Sequence, residues 1–243
     1  MASLSARYQA GDWDAVWHEI RTTASSELVA ADVDDVASAT MQRARTQIDD
    51  LASRFVDLGL RSAGGIPVRT PPPPDVVGRL AVLERTTGQL PAALRALMTH
   101  VGGVSLMGDL PRLGLSYDAG KRPRTMPPGP PFADPLVISD VDYLEFEVRE
   151  HLEEVALDAS APLLPFGFAP DELHKANISG GEHTISFSSH LPDPVITGIA
   201  GRLGITLVEY LRLSIAWGGL PGYSFAPHAA PKTLARLRAD PAF

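Results

Sequence analysis

The chain has 243 residues, 44% of them hydrophobic and 21% charged, with a formal net charge of -8 and no cysteine. Such a composition permits a sizeable globular core, and the missing cysteines exclude disulfides, cysteine-ligated zinc, iron–sulfur clusters and thiol nucleophiles. The acidic balance opposes phosphate backbones, so no nucleic acid is expected as a partner, and a basic protein suits the charge better.

The start MASLSARYQAGDWDAVW lacks the basic-then-apolar order of a secretory signal. No apolar run approaches the roughly 20 residues that span a bilayer. A cytoplasmic protein without a membrane partner is expected. Asp12 precedes a short helix over 12–24, where Trp13, Val16, Trp17 and Ile20 share one face at helical spacing. A longer helix is expected over about 33–58, with Asp32, Asp34 and Asp35 complementing the dipole at its start. Met41, Ala44, Ile48, Leu51, Phe55 and Leu58 recur along it at spacings of three and four. That stripe suits either an amphipathic helix lying on its own domain or a homodimer seam through the N-terminal helices. Residues 1–62 therefore read as an N-terminal helical arm. Residues 63–74, with Gly64-Gly65 and Pro71 to Pro74, read as a Gly/Pro-rich linker, because consecutive prolines donate no backbone hydrogen bonds.

The main domain, 75–243, opens with a helix that buries Val76, Leu80 and Leu83 and stops near Gly88. Leu90-Pro91 restarts the chain. Leu94, Leu97, Met98 and Val101 mark the next helix, and Gly102-Gly103 stops it ahead of a strand over 104–107. A Pro-rich insertion, 109–134, leaves room for one short strand near 113–117 and carries the basic cluster Lys121, Arg122 and Arg124. A buried strand over 135–138 leads to a helix capped by Ser139, with Val141, Leu144, Val148, Leu152 and Val155 facing inward. Residues 140–158 hold eight acids and one arginine, the densest negative patch in the chain. Further on, a strand is expected at 163–168 and a hairpin with arms 173–178 and 184–188 around Gly180-Gly181. A short strand at 195–197 precedes the capping box Thr206/Glu209. The helix that it opens buries Leu207, Leu211 and Ile215 and ends at Gly218-Gly219. A short basic amphipathic helix with Lys232, Arg236 and Arg238 follows Pro231.

Four of these pieces, LPAALRALMTHVGGVSLMG (90–108), DPLVI (134–138), APDELHKANISGGEHTISF (169–187) and TLVEYLRLSIAWGGLPG (206–222), occur in an order that resembles the SUKH superfamily. That superfamily includes the domain of the yeast cell-wall regulator family and many bacterial immunity proteins. The resemblance covers about 75–225. It implies an α+β fold with a mixed, mainly antiparallel sheet flanked by helices, and a protein that binds and blocks a cognate toxin. The N-terminal arm and the Pro-rich insertion lie outside its pattern.

No catalytic constellation emerges. Asp171, Glu172, His174, Glu182 and His183 would converge across the hairpin only in one register, and their spacing matches no metal-ligand signature. No metal and no cofactor are expected. The candidate partner-binding residues are Asp140, Asp142, Tyr143, Glu145, Phe146, Glu150, Glu153 and Glu154 on the acidic helix, together with His174, Lys175 and Asn177 before the Gly-Gly turn. The expected function is a non-enzymatic protein-binding module, an immunity protein facing a basic toxin. An intracellular scaffold or regulator acting as a homodimer is the alternative, and a hydrolase using the His174/His183 region is a second.

Overall fold

The computed structural model describes residues 2–23, 27–117, 132–157, 165–186, 191–199 and 201–243. In chain order its elements are α1 (Leu4–Gln9), α2 (Trp13–Thr22), α3 (Ala30–Asp57), β1 (Arg61–Ser62), β2 (Arg69–Thr70), α4 (Val76–Thr87), α5 (Ala92–His100), β3 (Gly103–Ser105), β4 (Gly108–Asp109), β5 (Val137–Ile138), α6 (Val141–Leu157), β6 (Phe166–Pro170), β7 (Glu182–Ile185), β8 (Ile196–Thr197) and α7 (Leu207–Ala216). The fold is α+β. Among the described residues the expected sheet takes the form of three small antiparallel sheets, β1-β4, β2-β3-β5 and β6-β7-β8. The two three-stranded sheets meet edge to edge, where the Ser139 N–H donates to the Phe168 carbonyl at 3.0 Å and the Ser139 hydroxyl to the Gly167 carbonyl at 3.3 Å.

Of the strand expected over 104–107 only 104–105 is strand, in β3, and the chain pairs again beyond it as β4. β3 pairs with β2 and β5, whereas β4 pairs with β1. The strand expected near 113–117 is replaced by a 3-10 turn at Pro111–Leu113 and a single Leu110–Leu115 bridge. The hairpin also has a different first arm. β7 pairs with β6, and residues 171–181 form the connection, including a 3-10 turn at His174–Ala176. The basic cluster at 121–124 lies outside the described residues, as do 163–164 and 187–188 of the expected strands. The segment after Pro231 is a 3-10 turn over Lys232–Arg236, anchored by buried Leu234.

One hydrophobic core extends from Leu4 to Phe243. The α3 stripe belongs to it: Met41, Ala44, Ile48, Leu51 and Phe55 are all buried. A Cβ added at Gly219, just beyond α7, would lie 2.6 Å from Leu106 Cδ1 and 3.1 Å from Leu51 Cδ2, so backbone is pressed directly onto α3. The stripe is thus occupied within one chain, and the seam expected for a homodimer is not a free surface. Trp17 of α2 is buried too, its indole N–H donating to Thr40 Oγ1 on α3 at 3.0 Å, which satisfies the polar end of a large apolar anchor. Asp32 caps α1, accepting from the N–H groups of Leu4 (2.7 Å) and Ser5 (2.9 Å).

The expected linker is equally well fastened. Arg69 donates to Asp49 Oδ1 (2.7 Å), the Gly103 carbonyl (2.6 Å) and the Val101 carbonyl (2.9 Å), tying α3 to the end of α5. Gly102, at φ +71, stops α5 in the left-handed region, and any Cβ there would strike the Thr70 carbonyl and Pro72. The proline run therefore lies against the helix stop as packed structure.

The capping box at Thr206/Glu209 forms as expected, and a second cap joins it. The buried Asp193 carboxylate accepts from the Val208 N–H at 3.0 Å, and Arg21 of α2 lies 3.2 Å from Asp193 and 3.4 Å from Glu209. Burial pushes the Asp193 carboxyl up to about 6 against the opposing pull of the Val208 N–H, Thr206 and Arg21. A carboxyl raised above its ordinary value of 3.8 binds a proton more readily folded than unfolded. Its stabilising contribution is complete below pH 3.8 and is lost as pH rises through about 6. Urea midpoints measured from pH 4 to 7 are expected to carry this falling component, and Asp193→Asn is expected to remove it. A component that persists unchanged in the variant belongs to another group.

Candidate functional site

The acidic helix is capped by Asp140, whose Oδ1 accepts from the Tyr143 N–H at 3.1 Å. Ser139, expected in that role, bonds β6 instead. Val141, Leu144 and Val148 are buried as expected, but Leu152, expected inside, is 44% exposed, while the adjacent His151 is buried. Asp142, Phe146, Glu150, Glu153 and Glu154 are all exposed. Asp142, Phe146 and Glu150 follow one another at four residues, and Glu153 and Glu154 come three and four residues after Glu150, so the five lie in a stripe along one side of the helix. Phe146 stands in that stripe, stacked on Tyr143 with ring centroids 6.1 Å apart, and Arg149 lies 5.3 Å over its ring.

Part of the negative charge is met from within the fold. Arg79 of α4 donates to Glu145 Oε1 at 2.8 Å and to Glu145 Oε2 and Asp142 Oδ1 at 2.5 Å each. Glu150, Glu153 and Glu154 form no ion pair among the described residues, so the outer half of the stripe keeps its charge.

A second acidic feature, not expected from the sequence, lies beside the first. The Tyr143 hydroxyl donates to Glu182 Oε1 at 3.1 Å, and Glu147 Oε2 accepts from the Gly167 N–H at 2.7 Å. A Cβ on Gly167 would lie 2.5 Å from Glu182 Oε2 and 2.7 Å from Glu147 Oε1, so glycine is what lets both carboxylates gather over β6. The β-bulge between Gly167 and Ala169 presents this position. Burial, with Glu182 nearby, raises the Glu147 carboxyl above its ordinary value. Burial and the two carboxylates raise the Tyr143 phenol, which keeps it a proton donor.

His174, Lys175 and Asn177 do not share the acidic helix's surface. His174 is exposed, with its N–H donating to Asp171 Oδ1 at 2.8 Å. Asn177 takes the left-handed conformation (φ 56) that ends the 3-10 turn. Lys175, expected to meet a partner, is 3% exposed and turned into the core. Its Nζ lies 2.5 Å from Asp134 Oδ1 and donates to the Tyr210 hydroxyl at 3.4 Å. Buried His183 completes the group. Its Nε2 is 3.8 Å from Asp134 Oδ1, too long for a hydrogen bond, and its ring meets Tyr210 edge-on at 6.3 Å. Neither ring nitrogen of His183 has a hydrogen-bond partner among the described residues.

Burial alone would push the Asp134 carboxyl up, but the Lys175 ammonium and the neighbouring His183 together hold the carboxyl below its ordinary value. Burial and the same carboxylate push the Tyr210 phenol well above its ordinary value. Asp134, Lys175, His183 and Tyr210 come from three of the four sequence pieces that carry the family resemblance. Those pieces converge on one buried polar cluster.

A cavity of about 330 Å³ opens beside it, walled by Phe132, Asp134, Glu172, Ile199, Gly201, Gly222 and Phe225. The Gly222 N–H donates to the Ala133 carbonyl at 3.1 Å, and a Cβ there would strike the Phe132 carbonyl.

Of the two histidines in the region considered for a hydrolase, His183 is fully buried and His174 lies on the surface. Among the described residues no three His, Asp or Glu side chains are grouped to hold a metal ion, and no helix is long and apolar enough to cross a membrane. No protein-family model, curated protein or solved structure matches the chain.

Proposed function

We propose that the chain is a non-enzymatic protein-binding module, an immunity protein of the SUKH kind that occludes a basic toxin. The observation that carries this is the exposed stripe Asp142–Phe146–Glu150–Glu153–Glu154 on α6. It sets three carboxylates without an ion pair among the described residues, Glu150, Glu153 and Glu154, beside a half-exposed aromatic ring, the combination of charged rim and apolar anchor that protein interfaces use. The net charge of -8 adds long-range attraction for a basic partner.

The test is a search of the neighbouring genes for a toxin and co-expression with it, followed by survival and by association kinetics of the purified pair. The chain is expected to protect and to form a complex. Reversing charge along the stripe with Glu150→Lys, Glu153→Lys and Glu154→Lys together should slow association about tenfold or more at low salt, and much less at high salt. Killing that continues with no complex formed sinks the proposal. Association indifferent to both the reversal and the salt would move the interface off α6.

A further inference from the structure

We infer that the cavity beside Asp134 receives a basic side chain, a guanidinium or ammonium group, from the bound partner. This deepens the proposal that the chain binds a basic protein, and it names the point where that protein is anchored. Two of the cavity's walls, Asp134 and Glu172, are carboxylates, and none of the described residues that line it is basic. Lys175 compensates Asp134, whereas Glu172 has no ion pair among the described residues, so Glu172 supplies the free charge. Phe132, Ile199 and Phe225 offer apolar surface for the methylene stem that carries such a group. Phe225 already accepts one guanidinium: Arg202 lies 4.6 Å from its ring centroid.

Two of the walls are positions where the chain is packed too closely for a side chain. A side chain at Gly222 would strike the Phe132 carbonyl, and one at Gly201 would come within 3.1 Å of the Phe225 ring. Asp134 is set in place before any ligand arrives. It sits at φ 50 in the left-handed region, pinned by Lys175, which lowers the ordering cost of binding. Behind it, fully buried His183 has two ring nitrogens without partners among the described residues. A buried polar group of that kind carries unused hydrogen-bonding capacity next to Asp134, behind the residues that line the cavity.

The cavity is also linked to the acidic helix. Tyr143 of α6 bonds Glu182, Glu182 is paired with Pro170, and Glu172 follows two residues later.

The test uses the full chain labelled with ¹⁵N and two probes of nearly the same shape, N-acetyl-arginine methylamide and N-acetyl-citrulline methylamide. The arginine probe is expected to shift the Gly201 and Gly222 amide resonances saturably. Citrulline, which lacks the charge, should bind at least tenfold more weakly, and Glu172→Gln should weaken the arginine probe several-fold. Equal binding of the two probes, no saturable shift at those glycines, or indifference to Glu172→Gln overturns the inference. The broader proposal fails separately. A toxin complex that depends on α6 while both glycines stay silent to arginine rejects the cavity alone. Arginine binding at the cavity with no toxin complex rejects the immunity role and leaves the cation site standing.

Discussion

Lys175→Met is expected to lower the free energy of unfolding by about 3–5 kcal/mol, because it leaves a buried carboxylate without its counter-charge. The ammonium is 2.5 Å from Asp134, with the lysine side chain fully buried and the aspartate 8% exposed, so solvent does little to screen the loss. A typical domain is stable by about 5–15 kcal/mol, so a change of this size moves a urea midpoint far outside experimental error. The compensating variant distinguishes charge from packing. Adding Asp134→Asn removes the stranded charge and keeps a residue that tolerates the left-handed backbone at φ 50. The double variant is expected to recover most of the lost stability. A single variant within about 1 kcal/mol of the unaltered chain would show that the pair adds nothing to the fold, in line with the weak net value of some buried ion pairs.

The parts of the fold legible in the sequence are those fixed by short-range chemistry. The α4 and α5 stripes, the stop at Gly102 and the Thr206/Glu209 box each depend on residues within a turn or two of one another, and each is found where expected. Strands of two to five residues carry no comparable signal, because their partners are chosen by distant chain. Leu173 to Ile178 alternates well enough to suggest a strand, yet β7 pairs with β6 and leaves that segment as a connection closed by Asp171, which accepts from the Gly181 N–H at 2.6 Å. The α3 stripe shows the same limit. Heptad-like spacing says that a face will be buried but not what buries it, and here α5 and α7 of the same chain do so.

The candidate site divides along the same line. The acidic stripe is readable because exposed charge on one helix face follows from composition and spacing. Its neutralisation by Arg79, more than 60 residues earlier, does not. Lys175 was expected at the surface because lysines are almost never buried unless paired, and its partner Asp134 lies 41 residues away in a segment that reads as a turn before Pro135. His183 did leave a local trace. Glu182, His183, Thr184 and Ile185 alternate outward and inward along β7, which places the histidine on the same inner face as the isoleucine.

Deleting residues 1–60 is expected to abolish cooperative folding of what remains. The deletion removes α1, α2 and α3, and with α3 the ten buried residues from Val33 to Phe55 that cover α5 and α7. It also strips Arg69 of Asp49 and Asp193 of Arg21, two bonds that tie the N-terminal helices to the sheet and to the cap of α7. Stripping a face of that size from a core leaves apolar surface exposed that no remaining element can cover. A milder probe of the same contact keeps the full chain. Phe55→Ala, at a fully buried ring packed near Gly219, is expected to cost about 3–5 kcal/mol through lost burial and the cavity left behind. Circular dichroism during urea unfolding reads both. A dispensable arm predicts a truncated chain with a sharp transition near that of the full chain, and a Phe55→Ala variant that unfolds in two steps. An arm built into the common core predicts no cooperative transition in the first, and a single transition at lower urea in the second. The single core running from Leu4 to Phe243 favours the latter pair of outcomes, because no seam separates the helices that precede β1 from the sheets that follow it.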